Sequence, residues 1–346
     1  MGTYTKELQS TAKSMVQKGK GILAMDESNG TCNKRFDALG IPTTEVSRQT
    51  YRELILSTPE LSNYVSGPIL YDETIRQTTR DGVPFLKVIA DAGMIPGIKV
   101  DTGAKDFAGH PGEKVTEGLD GLRERIAEYY KMGARFAKWR AVITIGEGIP
   151  SRACIEANAH GLARYAALCQ EGGLVPIVEP EVLIDGNHSL ERCYQVTDET
   201  LDAVFSQLYT QGVAYDQMIL KPSMVVPGKA SGASVSVEAV AEATIRCLLK
   251  NVPATVAGIA FLSGGQTKEQ SSAHLNAMNQ HFGSQCPWPV TFSYARAIQQ
   301  PALDYWAGKD GNIAEAQQRL LQRAKFNSLA SKGEYSSDLE KQLTSV

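Results

Sequence analysis

Short apolar runs recur along the chain, each closed by charged or small polar residues, and amphipathic stretches lie between them. Eight runs read as strands: GILAMDES (21–28), GPILYDET (67–74), IPGIKVD (95–101), ARFAKWRAV (134–142), LVPIVEPEV (174–182), QMILKPSM (217–224), GIAFLSGG (258–265) and PVTFSYARA (289–297). Runs of this length, apolar on both faces, suit strands buried on both sides. The stretches between them carry helix punctuation. LDGLRERIAEYYK (119–131) ends near Gly133, and the stretch over 151–171 opens on Ser151 and stops at Gly172-Gly173. DETLDAVFSQLYTQ reads as capped by Asp198 and ended by Gly212. SVEAVAEATIRCLLK starts after Ser236 and halts before Pro253, and Thr267 and Gln270 have capping-box spacing at the head of the next helix. SRQTYRELILST (47–58) is also helical in pattern.

Strand–helix alternation repeated eight times predicts βαβ units and a parallel sheet. Eight units at a spacing of roughly 40 residues fit a closed (β/α)8 TIM barrel. The rival is an open doubly wound sheet, which wants a glycine-rich fingerprint after its first strand; GxGxxG and GxxxxGK[ST] are both absent. The expected organisation is one α/β barrel over residues 1–330, with extra N-terminal helices. A polar, Ser-rich stretch from 327 on reads as loose, with 331–346 as a flexible C-terminal tail.

Composition narrows the function class. A chain with 42% hydrophobic and 21% charged residues has an ordinary globular balance. A net charge of −3 does not suggest a nucleic-acid or anionic-membrane partner. No apolar run reaches the ~18–20 residues that span a bilayer, and the N-terminus has no secretory h-region, so a cytoplasmic protein is expected. The six cysteines form no CxxC and read as reduced thiols.

Every strand-like run ends in polar residues: Asp26, Glu27 and Ser28; Asp72 and Glu73; Lys99 and Asp101; Lys138 and Arg140; Glu179 and Glu181; Lys221; Ser263-Gly264-Gly265; and Arg296. Residues i and i+2 of a strand share a face, so Lys138 pairs with Arg140 and Glu179 with Glu181. In a barrel the C-terminal mouth is where catalysis sits. Lys221 is the most telling of the set. Desolvation or a nearby cation favours the free amine of a lysine and makes it a nucleophile; Lys221 ends an apolar run, and Lys138 is a candidate neighbour across the barrel. A free amine can attack a ketone to give an iminium, an electron sink for breaking a C–C bond. Glu179 and Asp26 are candidate proton carriers, with Lys138 polarising a hydroxyl or pairing with a carboxylate. Ser263, Gly264 and Gly265 offer unobstructed backbone N–H groups for an anion, and Arg296 on the next strand can supply a fork to phosphate. A second cationic set, Lys34, Arg35 and Lys99, suits a second phosphate at the far end of an extended substrate.

The stretches KGILAMDESNGTCNKRF, GIKVDTG, EGLDGLRER, FAKWRAV, LARYA, VPIVEPEV, LKPSMV, FLSGGQ and TFSYARA, in this order, resemble the class I fructose-1,6-bisphosphate aldolases. The resemblance runs from residue 20 to about 330. It implies reversible cleavage of fructose 1,6-bisphosphate to dihydroxyacetone phosphate and glyceraldehyde 3-phosphate, in a homotetramer that uses no metal or other cofactor. Lys221 matches the Schiff-base lysine, Glu179 the general acid–base residue with Glu181 beside it, and Asp26 the carboxylate that assists C3–C4 cleavage. Lys138, Arg140 and Lys99 match the C4-hydroxyl and 6-phosphate side. Ser28, Thr31, Lys34 and Arg35 match the sugar-phosphate region, with Arg48 nearby; Ser263, Gly264, Gly265 and Arg296 match the 1-phosphate site. The metabolic direction is left open between glycolysis, gluconeogenesis and the Calvin cycle, and so is use of sedoheptulose 1,7-bisphosphate.

The chain departs from the family at Met25, Ala295 and Ser223, the last two in the manner of plant plastid-type members. It ends in TSV rather than in the tyrosine of animal members, and Tyr335 matches an earlier segment. Three other readings compete. A metal-dependent aldolase needs a histidine-rich site, and the five histidines show neither HxH nor HExxH spacing. A single-phosphate Schiff-base barrel is opposed by the second cationic set. A non-catalytic scaffold is opposed by the full set of reactive groups.

Overall fold

The structure is a computed structural model and describes residues 3–341; the last five residues of the expected tail, 342–346, lie outside the described residues. The eight apolar runs form strands β1 (Gly21–Ala24), β2 (Val65–Leu70), β3 (Gly97–Lys99), β4 (Phe136–Ile143), β5 (Val175–Val182), β6 (Ile219–Leu220), β7 (Gly258–Phe261) and β8 (Val290–Tyr294). They are parallel and close into a barrel in sequence order, with Ile22 of β1 opposite Ser293 of β8. A (β/α)8 barrel is therefore the observed fold, with helices between the strands.

Two apolar layers hold it. The interior layer joins Ile22, Ile69, Phe136, Ile177 and Ile219 to Leu8, Ala12 and Met15, which lie on helix Thr5–Met15. That helix closes the bottom of the barrel, where its successor Val16 packs against Gly258. Glycine is required at the narrow end: a Cβ on Gly97 would stand 2.0 Å from the Phe136 ring. The outer layer packs the other strand faces against helices Arg152–Glu171, Val237–Asn251, Lys268–Phe282 and Ile313–Ala330. The bottom is thus closed by apolar packing, with the Ser66 and Thr291 hydroxyls there donating to the backbone of Met15 and Lys20, and the charged groups gather at the mouth.

The helix starts at Ser151, Ser236 and Thr267 are as expected, and both bonds of the Thr267/Gln270 capping box are made. Asp198 is not a cap. Its helix runs Leu190–Thr210 from Ser189, and the Asp198 carboxylate instead takes Lys250 at 2.6 Å and Asn251 at 2.8 Å from the next helix. The polar stretch from 327 also differs from expectation. Asn327 is fully buried and helical, and Tyr335 is buried, with its N–H donating to Asn276 at 2.9 Å. Polar composition concealed a segment that packs through backbone and side-chain hydrogen bonds. A hairpin, Gly103–Asp106 with Lys114–Glu117, follows β3 and was not anticipated.

Candidate active site

Strand register assembles the mouth. Lys99 of β3 lies opposite Lys138 of β4, Arg140 opposite Glu179 of β5, and Val142 opposite Glu181. Asp26 follows β1 and Lys221 follows β6. At the centre, Lys138 Nζ stands 2.7 Å from Asp26 Oδ2 and 3.2 Å from Glu179 Oε2, and Lys221 Nζ stands 3.2 Å from Glu179 Oε1. All four groups are buried. Two ammonium groups and two carboxylates compensate one another, which is the condition for keeping charge out of water.

Burial alone would raise the Asp26 pKa, but Lys138 and then Lys221 outweigh it and hold the carboxyl at about 2. The same balance lowers Glu179, where burial is overcome by Lys138, Lys221 and Arg140. Burial opposes charge on Lys138, and Asp26 and Glu179 overcome it and push its pKa upward. Glu179 Oε2 faces Lys138 Nζ at 3.2 Å as an ion pair and, although buried, accepts no directed hydrogen bond among the described residues.

On one side of this centre, Arg140 pairs with Glu181, and Lys99 donates to Asp101 Oδ1 at 2.5 Å. Asp101 also accepts from the N–H groups of Gly103 at 3.1 Å and Arg140 at 3.2 Å, tying β3, the hairpin and β4 together. Ser28 caps helix Asn29–Asp37 by accepting from the Thr31 N–H, and Arg35 pairs with Glu27 at 2.6 Å. On the other side, Ser263 leads into Gly264 (φ 57°) and Gly265 (φ 81°), left-handed conformations natural to glycine. Gln266 braces this turn. Its Nε2 donates to Ser263 O at 3.0 Å, and its Oε1 accepts from His274 Nδ1 at 2.5 Å. Arg296 is exposed and makes no ion pair among the described residues.

A cavity of about 450 Å³ spans both sides. Its lining includes Asp26, Ser28, Thr31, Arg35, Lys99, Lys138, Arg140, Glu179, Glu181, Lys221, Ser263, Gly264, Gly265 and Arg296. Two expected residues do not line it. Lys34 faces solvent. Arg48 is held elsewhere, donating to both oxygens of Glu73 at 2.7 Å and to Asn33 at 3.0 Å. Lining residues that sequence reading missed include Tyr71, Thr102 and Ser293. Ser293 carries a buried hydroxyl with no partner; its place at the end of β8, two residues before Ala295, was the available signal. Among the described residues, no group of three or more His, Cys, Asp or Glu side chains could hold a metal ion, and no helix is long and apolar enough to cross a membrane.

The family model for class I fructose-bisphosphate aldolase matches residues 7–345. The chain belongs to this family. Aldolases of this class are carbon–carbon lyases that cleave fructose 1,6-bisphosphate reversibly through a lysine Schiff base, and their substrates are sugar bisphosphates and triose phosphates. A probable class 1 fructose-bisphosphate aldolase of Xanthomonas campestris is 61% identical over 95% of this chain and 98% of its own length. The chloroplastic fructose-bisphosphate aldolase 3 of Arabidopsis thaliana is 50% identical over 98% of this chain and 86% of its own. The solved fructose-bisphosphate aldolase of Plasmodium falciparum, in complex with TRAP and a small-molecule inhibitor, superposes with a TM-score of 0.94 at 46% identity, covering 96% of each chain.

Proposed function

We infer that Lys221 is the amine that forms the Schiff base of this aldolase. The supporting observation is the chain of contacts Lys221–Glu179–Lys138–Asp26, with Glu179 Oε1 3.2 Å from Lys221 Nζ. In the forward direction Lys221 gives a proton to Glu179, and the freed amine adds to the C2 carbonyl of the ketose. Glu179 relays a proton to the departing C2 hydroxyl, and water leaves as the iminium forms. Asp26 then takes the proton of the C4 hydroxyl as the C3–C4 bond breaks, releasing glyceraldehyde 3-phosphate. The electron pair of that bond moves into the iminium and gives an enamine. Protonation at C3 and hydrolysis release dihydroxyacetone phosphate and restore Lys221. Lys138 holds Asp26 and Glu179 ionised between steps, which a pair of buried carboxylates alone would resist.

The Ser263–Gly265 turn and Arg296 take the 1-phosphate; Arg35, Lys99 and Arg140 face the other end, with Ser28 and Thr31 beside them. The electron sink is the iminium, so this sequence of steps calls on no metal. We read the enzyme as a cytoplasmic homotetramer, and the cavity's second cationic side also suits a seven-carbon bisphosphate. The deciding experiment is borohydride reduction with dihydroxyacetone phosphate in excess EDTA, followed by peptide mapping. An adduct on Lys221 is expected. An adduct on another lysine, or none, overturns the assignment.

A further inference from the structure

A second lysine stands on the same connection that leaves Lys221. The segment from Lys221 through Pro227-Gly228 to Lys229 is fastened to the loop after β5. Gly228 donates to His188 O at 2.8 Å, Lys229 to Ile184 O at 3.0 Å and Ala230 to Gly186 O at 2.8 Å. The fit is tight, since a Cβ on Gly228 would stand 2.4 Å from Gly186 O. The backbone of Lys229 is therefore fixed, and its side chain reaches toward the Ser263–Gly265 turn. A Cβ built on Gly265 would stand 2.7 Å from Lys229 Nζ. Lys229 is exposed, and its ammonium has no hydrogen bond or ion pair among the described residues.

We propose that Lys229 is a second cationic ligand of the phosphate bound at the Ser263–Gly265 turn, and so a specificity residue for the phosphorylated ketose. The proposal rests on the reading that this turn and Arg296 hold the 1-phosphate. A phosphate monoester carries close to two negative charges at neutral pH. The turn supplies N–H dipoles and Arg296 one full charge; Lys229 supplies the second. Among the described residues no other group uses this ammonium, and a fixed loop backbone limits the entropy lost when it engages an anion. Because Lys221 and Lys229 end one short segment, the covalent anchor of the ketone and a charge for its phosphate are carried by the same stretch of backbone.

The test compares borohydride trapping by dihydroxyacetone phosphate with trapping by unphosphorylated dihydroxyacetone, in wild type, Lys229→Met, Lys229→Arg and Arg296→Ala. Lys229→Met is expected to raise the half-saturating concentration of dihydroxyacetone phosphate about ten-fold, as for loss of a charge-assisted bond. The value for dihydroxyacetone should not move, and Lys229→Arg should restore most of the phosphate preference. An unchanged value in Lys229→Met, with a raised one in Arg296→Ala, overturns the role of Lys229 and leaves the phosphate site standing. Equal rises for both ketones also overturn it, since the effect would then not pass through phosphate. If neither Lys229→Met nor Arg296→Ala changes trapping by dihydroxyacetone phosphate, the phosphate site itself is misassigned and this inference falls with it.

Discussion

Lys138 and Asp26 form a buried ion pair, Nζ to Oδ2 2.7 Å, at the mouth of the barrel. Among the described residues, Lys138 is also the one group that pairs with both Asp26 and Glu179. Removing it leaves two buried carboxylates with Lys221 as their nearest cation and only the more distant Arg140 and Lys99 besides. Lys138→Met should destabilise the fold by about 3–5 kcal/mol, the range for stranding buried charge, and abolish cleavage. Adding Asp26→Asn should recover part of the stability and none of the activity. Urea unfolding of wild type and the two variants checks this; a double variant no more stable than Lys138→Met argues against the ion-pair explanation.

Glu179 touches both lysines at 3.2 Å. Glu179→Gln keeps the shape of the group and loses its proton transfer. Imine formation and hydrolysis should slow by roughly 10²–10⁴-fold, the usual worth of a positioned acid–base group, while the Lys221 adduct still accumulates under borohydride. Rapid-quench trapping measures it. Wild-type rates in Glu179→Gln would transfer the proton relay to another residue.

Two arginines that look alike in sequence should behave differently. Arg296 is free, whereas Arg48 is held by Glu73 and Asn33. Arg296→Ala should weaken binding of the bisphosphate by roughly 1.5–3 kcal/mol, with little change in stability. Arg48→Ala should lower stability by about 1–3 kcal/mol and leave KM near wild type. A KM effect as large in Arg48→Ala as in Arg296→Ala would return Arg48 to the substrate site.

That contrast shows where sequence reading reached and where it stopped. Barrel strands and their charged ends were legible because buried parallel strands leave a continuous apolar signal that stops where the chain meets the mouth. Lys221, Glu179, Lys138 and Asp26 stood out for that reason. Partner choice was not legible. Nothing local to Arg48 says that Glu73 will take its guanidinium, nor that Asp198 will cap no helix and bind Lys250 instead. The hairpin after β3 was also invisible, because GAKD and KVTE have little apolar alternation. It is held by tertiary bonds, with Thr116 N–H donating to Asn158 at 3.2 Å and Thr116 Oγ1 to Arg140 O at 2.8 Å. Ser293 lay near the end of a strand already recognised, but that its hydroxyl is buried without a partner among the described residues is visible only in three dimensions.

The brace under the Ser263–Gly265 turn gives the fold an acid-sensitive point. Burial favours neutral His274 and lowers its pKa to about 4 from 6.5, with Glu238 opposing. The folded value is below the unfolded one, so the unfolded chain binds the proton first as pH falls. The stability this ring contributes is whole above pH 6.5 and is lost progressively down to about pH 4. Its size is on the order of 3 kcal/mol. Asp26 acts in the next window, between 3.8 and about 2, again losing stability as pH falls. Urea midpoints at pH 7 and pH ~4.5 should therefore fall less in His274→Gln than in wild type. Equal falls would remove His274 from the acid response.

Tyr335 has the appearance of a reactive tail tyrosine and the surroundings of a structural one. Its hydroxyl donates to Glu340 Oε1 at 2.9 Å, and its ring meets Phe326 edge-on at 6.1 Å. The same Glu340 oxygen also takes Arg323, which in turn donates to Lys268 O and Ser272 Oγ at 2.8 Å. Tyr335 thus fastens residues 335–340 to helices Ile313–Ala330 and Lys268–Phe282, and it is not among the residues lining the cavity. Burial and Glu340 both raise its pKa, which makes its phenol a poorer acid than a free tyrosine. Tyr335→Phe should therefore lower stability by about 0.5–1.5 kcal/mol, the net worth of one hydrogen bond. Tritium exchange into dihydroxyacetone phosphate should continue at the wild-type rate. The exchange assay separates the two roles, because loss of one hydrogen bond in the fastening leaves the enamine and its proton donor in place. A large drop in exchange with unaltered borohydride trapping would move Tyr335 from the fastening of the chain's end into the chemistry.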